Sequence, residues 1–70
     1  MNLSQEKLDA IVLRIRERRY ALKYTQAYVA KKLHISQNAY SKIEAGLTNF
    51  SIQRLYEIAE ILGTDIKDLL

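Results

Sequence analysis

The sequence predicts an all-α fold of five short helices, and three observations carry that expectation. The 70 residues contain no proline, only two glycines, and apolar side chains recurring every three to four positions almost throughout. At this length the chain makes one domain, residues 1–70, whose core lies near the lower size limit for folding without staples. An apolar content of 49% is enough for a packed core and too high for a disordered chain. No repeat, linker or low-complexity segment interrupts it.

Each helix has a start, a stripe and a stop. The first runs from about Ser4, an N-cap residue type, to about Lys23, with Leu8, Ile11, Val12, Ile15 and Leu22 on one stripe. At about 100° per residue Arg19 falls inside that apolar stripe. The second starts near Thr25 and buries Val29, Ala30 and Leu33; a turn at His34–Ile35 follows. Ser36 caps the third, which buries Tyr40 and Ile43 and stops at Gly46, suited to the left-handed position after a helix. A loop through Asn49 and Phe50 leads to a Ser51 cap and a fourth helix, with Ile52, Leu55, Ile58, Ala59 and Leu62 facing inward. Gly63 ends it as Gly46 ends the third, and Thr64 caps a short fifth helix containing Ile66, Leu69 and Leu70.

Composition narrows the function. Without cysteine there is neither a disulfide nor a thiolate metal site. No apolar run approaches the ~20 residues of a membrane span. Glu6, Lys7 and Asp9 interrupt Met1–Ala10 where a signal peptide would need an apolar stretch, so a soluble cytoplasmic protein is expected. The net charge of +3 is unevenly spread: residues 1–23 hold six basic and three acidic side chains, and residues 51–70 hold two and four. Such asymmetry suits a polyanionic partner on one side of the molecule, although ordinary surface solvation would give the same counts.

The stretch Thr25–Gly46, TQAYVAKKLHISQNAYSKIEAG, is the most informative. Two helices crossing at ~90–120° through a short turn need a small residue where the backbones approach, and Ala30 supplies it. Val29, Leu33, Ile35, Tyr40 and Ile43 fill the angle between them. These residues position the third helix. Away from its core, that helix presents Gln37, Asn38, Ser41, Lys42 and Ala45. Gln and Asn amides offer a donor and an acceptor together, the pattern that matches adenine N6 and N7, whereas Ser and Lys have looser preferences.

With TQ opening the second helix, IS at the turn and IEAG closing the third, the chain resembles the Cro/C1-type helix-turn-helix regulators of phage and bacteria. The resemblance covers about residues 11–70 and implies a lambda-repressor-like DNA-binding domain. It implies that the third helix enters the major groove, with Ser36, Gln37, Asn38 and Lys42 at base edges; Ser41, on the same open face, is a further base-contact candidate. Gln26 matches a position whose side chain or amide grips phosphate, where a helix N-terminus also favours the anion. Arg16, Lys23, Thr48 and Asn49 are the other phosphate candidates. Lys31 and Lys32 are expected to be solvated, and Tyr24 and Tyr28 to belong partly to the core.

Two residues depart from the family pattern. His34 stands where a glycine is usual, in a turn whose left-handed backbone costs histidine on the order of 1 kcal/mol. Tyr40 replaces an aliphatic residue, and its hydroxyl needs a polar partner. The resemblance also implies a partner for Arg19. Family members pair an arginine of the first helix with a glutamate at the position of Glu44, and two charges among apolar neighbours need each other. The alternative is that Arg19 reaches outward to phosphate.

No catalytic arrangement is present in the sequence. The single histidine lies in the turn without a carboxylate to orient it, and there is no glycine-rich phosphate loop. The expectation is a non-enzymatic, sequence-specific binder of double-stranded DNA that regulates transcription as a repressor, without metal or cofactor. One small monomer offers limited specificity, which suggests a homodimer on a palindromic site. Ile66, Leu69 and Leu70 either form the dimer contact or close the core. Two rival roles share the fold: an antitoxin or restriction–modification controller, and a protein-interaction module that has lost DNA binding.

Overall fold

The computed structural model describes residues 3–70; the first two residues of the expected 1–70 domain lie outside the described residues. Four α-helices follow in order, α1 (Gln5–Ala21), α2 (Gln26–Lys32), α3 (Gln37–Glu44) and α4 (Ile52–Ile61), and the chain then makes a single 3₁₀ turn at Ile66–Asp68. α3 packs against α2 and α1, α4 against α2, and the 3₁₀ turn against α4. No described helix is long and apolar enough to cross a membrane.

The four helices are punctuated identically. At their starts Ser4, Thr25, Ser36 and Ser51 each accept a hydrogen bond from the backbone N–H three residues on. That satisfies one of the donors a helix start leaves without a partner. One residue earlier stand Leu3, Tyr24, Ile35 and Phe50, all packed in or against the core. They occupy the staple position relative to the buried Leu8, Val29, Tyr40 and Leu55. At their ends Lys23, His34, Gly46 and Gly63 take positive φ, between 60° and 72°. At each end two backbone N–H groups turn back onto the last helical carbonyls, as in Lys23→Tyr20 with Tyr24→Arg19 and Gly46→Ile43 with Leu47→Lys42.

The fifth helix of the sequence reading is therefore corrected to one 3₁₀ turn. Thr64 does not cap it: its backbone N–H closes α4 by bonding to Ala59 O, and its hydroxyl donates to Asp68 Oδ2 at 3.5 Å instead of accepting from a backbone N–H. Asp65 occupies the cap position and makes no side-chain cap hydrogen bond. The first helix stops at Ala21 rather than Lys23, since Lys23 is the left-handed residue of its closing turn.

The core draws on all four α-helices: Leu8, Ile11, Val12 and Ile15 from α1, Val29 and Ala30 from α2, Tyr40 and Ile43 from α3, and Leu55, Ile58 and Ala59 from α4. Leu33, Leu62 and Leu69 complete it. Ile52, expected inward, is 45% exposed. It is the first residue of α4, and the buried Phe50 just before the cap fills the place at that end of the core. Leu69 is 2% exposed and closes the core, whereas Leu70 is 41% exposed.

Candidate nucleic-acid interface

The inner face of α3 holds a charged pair inside the protein. Glu44 is 2% and Arg19 6% exposed, and Tyr40 beside them is fully buried. Arg19 approaches Glu44 through both sides of its fork, Nε to Oε2 at 2.6 Å and Nη2 to Oε1 at 2.9 Å. The third guanidinium nitrogen donates to Tyr24 O at 2.9 Å, and the group lies 4.6 Å from the centre of the Tyr20 ring. Arg19 thus points inward to the carboxylate rather than outward. Tyr40 Oη donates to Glu44 Oε2, and Gln26 Nε2 donates to Oε1 at 3.2 Å. One carboxylate joins α1, α2 and α3.

Electrostatics follow from that geometry. Burial pushes the Glu44 carboxyl up, yet the hydrogen bonds from Arg19, Tyr40 and Gln26 and the charge of Arg19 outweigh it. The net shift is below the usual carboxylate range. The bond to Glu44 raises Arg19 against its own desolvation. Burial first, and then the bond to Glu44, raises the Tyr40 phenol well above its ordinary value. No buried side-chain polar atom among the described residues lacks a partner.

The opposite face of α3 is open. Ser36, Gln37, Asn38 and Lys42 are exposed, and Ser41 is half-buried. By helical register Asn38, Lys42 and Ala45 lie opposite the buried trio Tyr40, Ile43 and Glu44. Gln37 and Ser41 flank them on the side of Glu44. Ser36, Asn38 and Lys42 share a groove of about 460 Å³ with Thr48 and Asn49 of the loop after α3, floored by Ile35, Ile43 and Phe50. Five of the residues singled out in the sequence are brought to one concavity. Within the loop Thr48 Oγ1 donates to Asn49 O at 3.3 Å, and Asn49 Oδ1 accepts from Leu3 N at 3.5 Å.

The remaining anchor candidates are placed differently. Gln26, half-buried at the start of α2, is tied to Glu44 by one amide hydrogen. Lys23 is exposed in the turn that closes α1. Arg16 is half-buried and donates to the carbonyl of Glu44, at the end of α3. It belongs to a pattern the sequence reading missed. Arg18 donates to Leu62 O at 2.9 Å, Arg14 to Leu70 O at 3.0 Å, and Lys7 to Leu70 O at 2.8 Å. Cations that face the carbonyl ends of helices complement their dipoles. With Arg19, five of the six basic side chains before Tyr24 donate hydrogen bonds within the molecule, Lys7 and Arg14 at its surface. The positive charge of this segment first serves the fold. The signal that could have found it is position: Arg14 and Arg18 lie four apart, on the side of α1 that meets the chain's last turn.

A partly exposed aromatic cluster accompanies the site. The Tyr24 and Tyr28 rings lie 4.5 Å apart, and Lys32 Nζ sits 5.6 Å from the Tyr28 ring centre. Among the described residues no group of three His, Cys, Asp or Glu side chains could hold a metal ion.

Two helices set at an angle by a short turn, the second with a buried hinge face and an open polar face, define a helix-turn-helix domain. A helix-turn-helix family model matches residues 15–69, most of the chain. The chain belongs to the Cro/C1-type helix-turn-helix family of DNA-binding transcription regulators. Its fold is similar to part of two solved structures, FeII HppE in complex with substrate and apo-HppE. Both have a TM-score of 0.82 and 25% identity over 89% of this chain. The match covers 36% and 35% of those chains, so this chain spans about a third of their length. No curated protein matches it.

Proposed function

We propose that this protein binds double-stranded DNA sequence-specifically and represses transcription, with α3 in the major groove. The observation that carries the reading is the groove shared by Ser36, Asn38 and Lys42 with Thr48 and Asn49. It sets base-reading side chains beside loop residues able to bond phosphate, the two classes of contact such binding needs. Gln37 and Asn38, in the first turn of α3, are the residues for adenine edges, with Ser36, Ser41 and Lys42 beside them. Gln26, Lys23, Thr48 and Asn49 hold the backbone. Arg16 reaches phosphate only with the guanidinium hydrogens that Glu44 O does not use. A monomer reads few base pairs, so the operator is a palindrome bound by two copies.

Selection of binding sites from random DNA, followed by titration at several salt concentrations, tests this. A common palindrome whose affinity falls steeply as salt rises supports it. Failure to enrich any sequence, with weak binding to all duplexes, overturns it and favours a protein-interaction module.

A further inference from the structure

The Glu44 carboxylate has four good acceptor positions, and donors fill all four. Oε2 takes Arg19 Nε and Tyr40 Oη; Oε1 takes Arg19 Nη2 and Gln26 Nε2. The arginine fork uses one position on each oxygen and fixes the carboxylate plane. Two positions remain for two donors, and a fully buried tyrosine permanently claims the one on Oε2. The Gln26 amide is left with a single docking point, on Oε1. An amide nitrogen carries two hydrogens, so docking one fixes the direction of the other.

We propose that Tyr40 is a positioning residue for DNA binding: by occupying Oε2 it confines the Gln26 amide to Oε1 and aims its second hydrogen at a backbone phosphate. This rests on the reading of Gln26 as a phosphate contact. With phenylalanine at position 40, Oε2 keeps a vacant buried acceptor position. Gln26 is the only donor in the cluster not fixed by a second bond or by burial, so its amide divides between the two oxygens. The outward hydrogen then loses its direction, and part of the affinity goes with it. Base preference stays, because Gln26 touches no base.

The test is a cycle of Tyr40→Phe, Gln26→Ala and the double variant. Each is measured against the selected DNA site and a scrambled duplex, at a temperature where urea unfolding shows every variant folded. Tyr40→Phe is expected to weaken both duplexes alike by about 2- to 10-fold, the worth of one hydrogen bond. The double variant is expected to bind no worse than Gln26→Ala alone. Losses that multiply, or a neutral Tyr40→Phe beside a damaging Gln26→Ala, overturn the positioning role. A neutral Gln26→Ala in a protein that still binds its site instead removes the phosphate contact on which the inference rests. A second readout needs no variant to fold. In the wild-type protein, NMR should show one Gln26 side-chain hydrogen protected and the other exchanging freely. Two equivalent, freely exchanging hydrogens overturn the proposal.

Discussion

On its inner face α3 carries Tyr40, Ile43 and Glu44, buried and with every polar atom paired; on its outer face it carries Asn38 and Lys42, open to solvent. The two faces divide the labour. An inner donor or acceptor is worth the cost of leaving its partner unsatisfied in a dry interior. An outer one is already hydrated and is worth almost nothing until a partner arrives. Substitutions inside should therefore change stability, and substitutions outside should change recognition alone.

The strongest way to break this contrast is Glu44→Ala. It leaves Arg19 charged and buried without its partner and should cost about 3–5 kcal/mol in urea unfolding. A loss below about 1 kcal/mol would place the pair in water instead. Smaller, and diagnostic in sign, is the pH dependence. Glu44 titrates below the ordinary 4.5, so its contribution is full above that value and is lost as pH falls. Tyr40 titrates above the ordinary 10.0, so its contribution is full below that value and is lost as pH rises. Tyr40→Phe should cost about 1–2 kcal/mol near neutral pH and should flatten the alkaline limb. A stability profile of unchanged slope above pH 10 in that variant would contradict the assignment.

Next come the helix ends, where one backbone geometry is met by different residues. Gly46 and Gly63 hold positive φ without penalty, and Lys23 and His34 hold it with a β-carbon. Lys23→Gly and His34→Gly should each stabilise by up to about 1 kcal/mol, a rise of roughly 4–8 °C in Tm. A fall in melting temperature would mean that the side chain itself holds the turn. Gly46→Ala should go the other way, by about 1 kcal/mol, because alanine at φ 72° carries the left-handed penalty; the exposed Asp9 carboxylate, 2.8 Å from the new β-carbon, can swing aside. The smallest stability effect belongs to the outer face: Gln37→Ala and Asn38→Ala should each stay within about 0.5 kcal/mol by the same unfolding assay.

These comparisons show where the sequence was legible. Serine and threonine caps, glycine stops and the apolar stripes reveal helix positions because each is a local rule acting within one turn. The left-handed turn at Lys23 was not legible, because the backbone hydrogen bonds that demand it leave no mark in the residue type. Phe50 and Ile52 were misjudged for a tertiary reason: both suit the end of the core, and only packing decides that Phe50 takes it. From sequence Arg16 reads as a phosphate contact and Arg18 has no assigned role, because the carbonyl ends they meet lie 28 and 44 residues away in the chain. Tyr40 was seen to need a polar partner, and Glu44 to need Arg19. That both needs, and the amide of Gln26, meet on one carboxylate follows only from the arrangement of three helices.

The central claim is that the outer face of α3 carries the base preference, while the inner face holds the helix and carries none of that preference. Its most direct test is the affinity of the Gln37→Ala, Asn38→Ala double variant for the selected site and for a scrambled duplex, at one salt concentration beside the wild type. The account predicts that the variant melts with the wild type, keeps its affinity for the scrambled duplex and loses its preference for the selected site. A variant that still prefers the selected site as strongly as the wild type would contradict it.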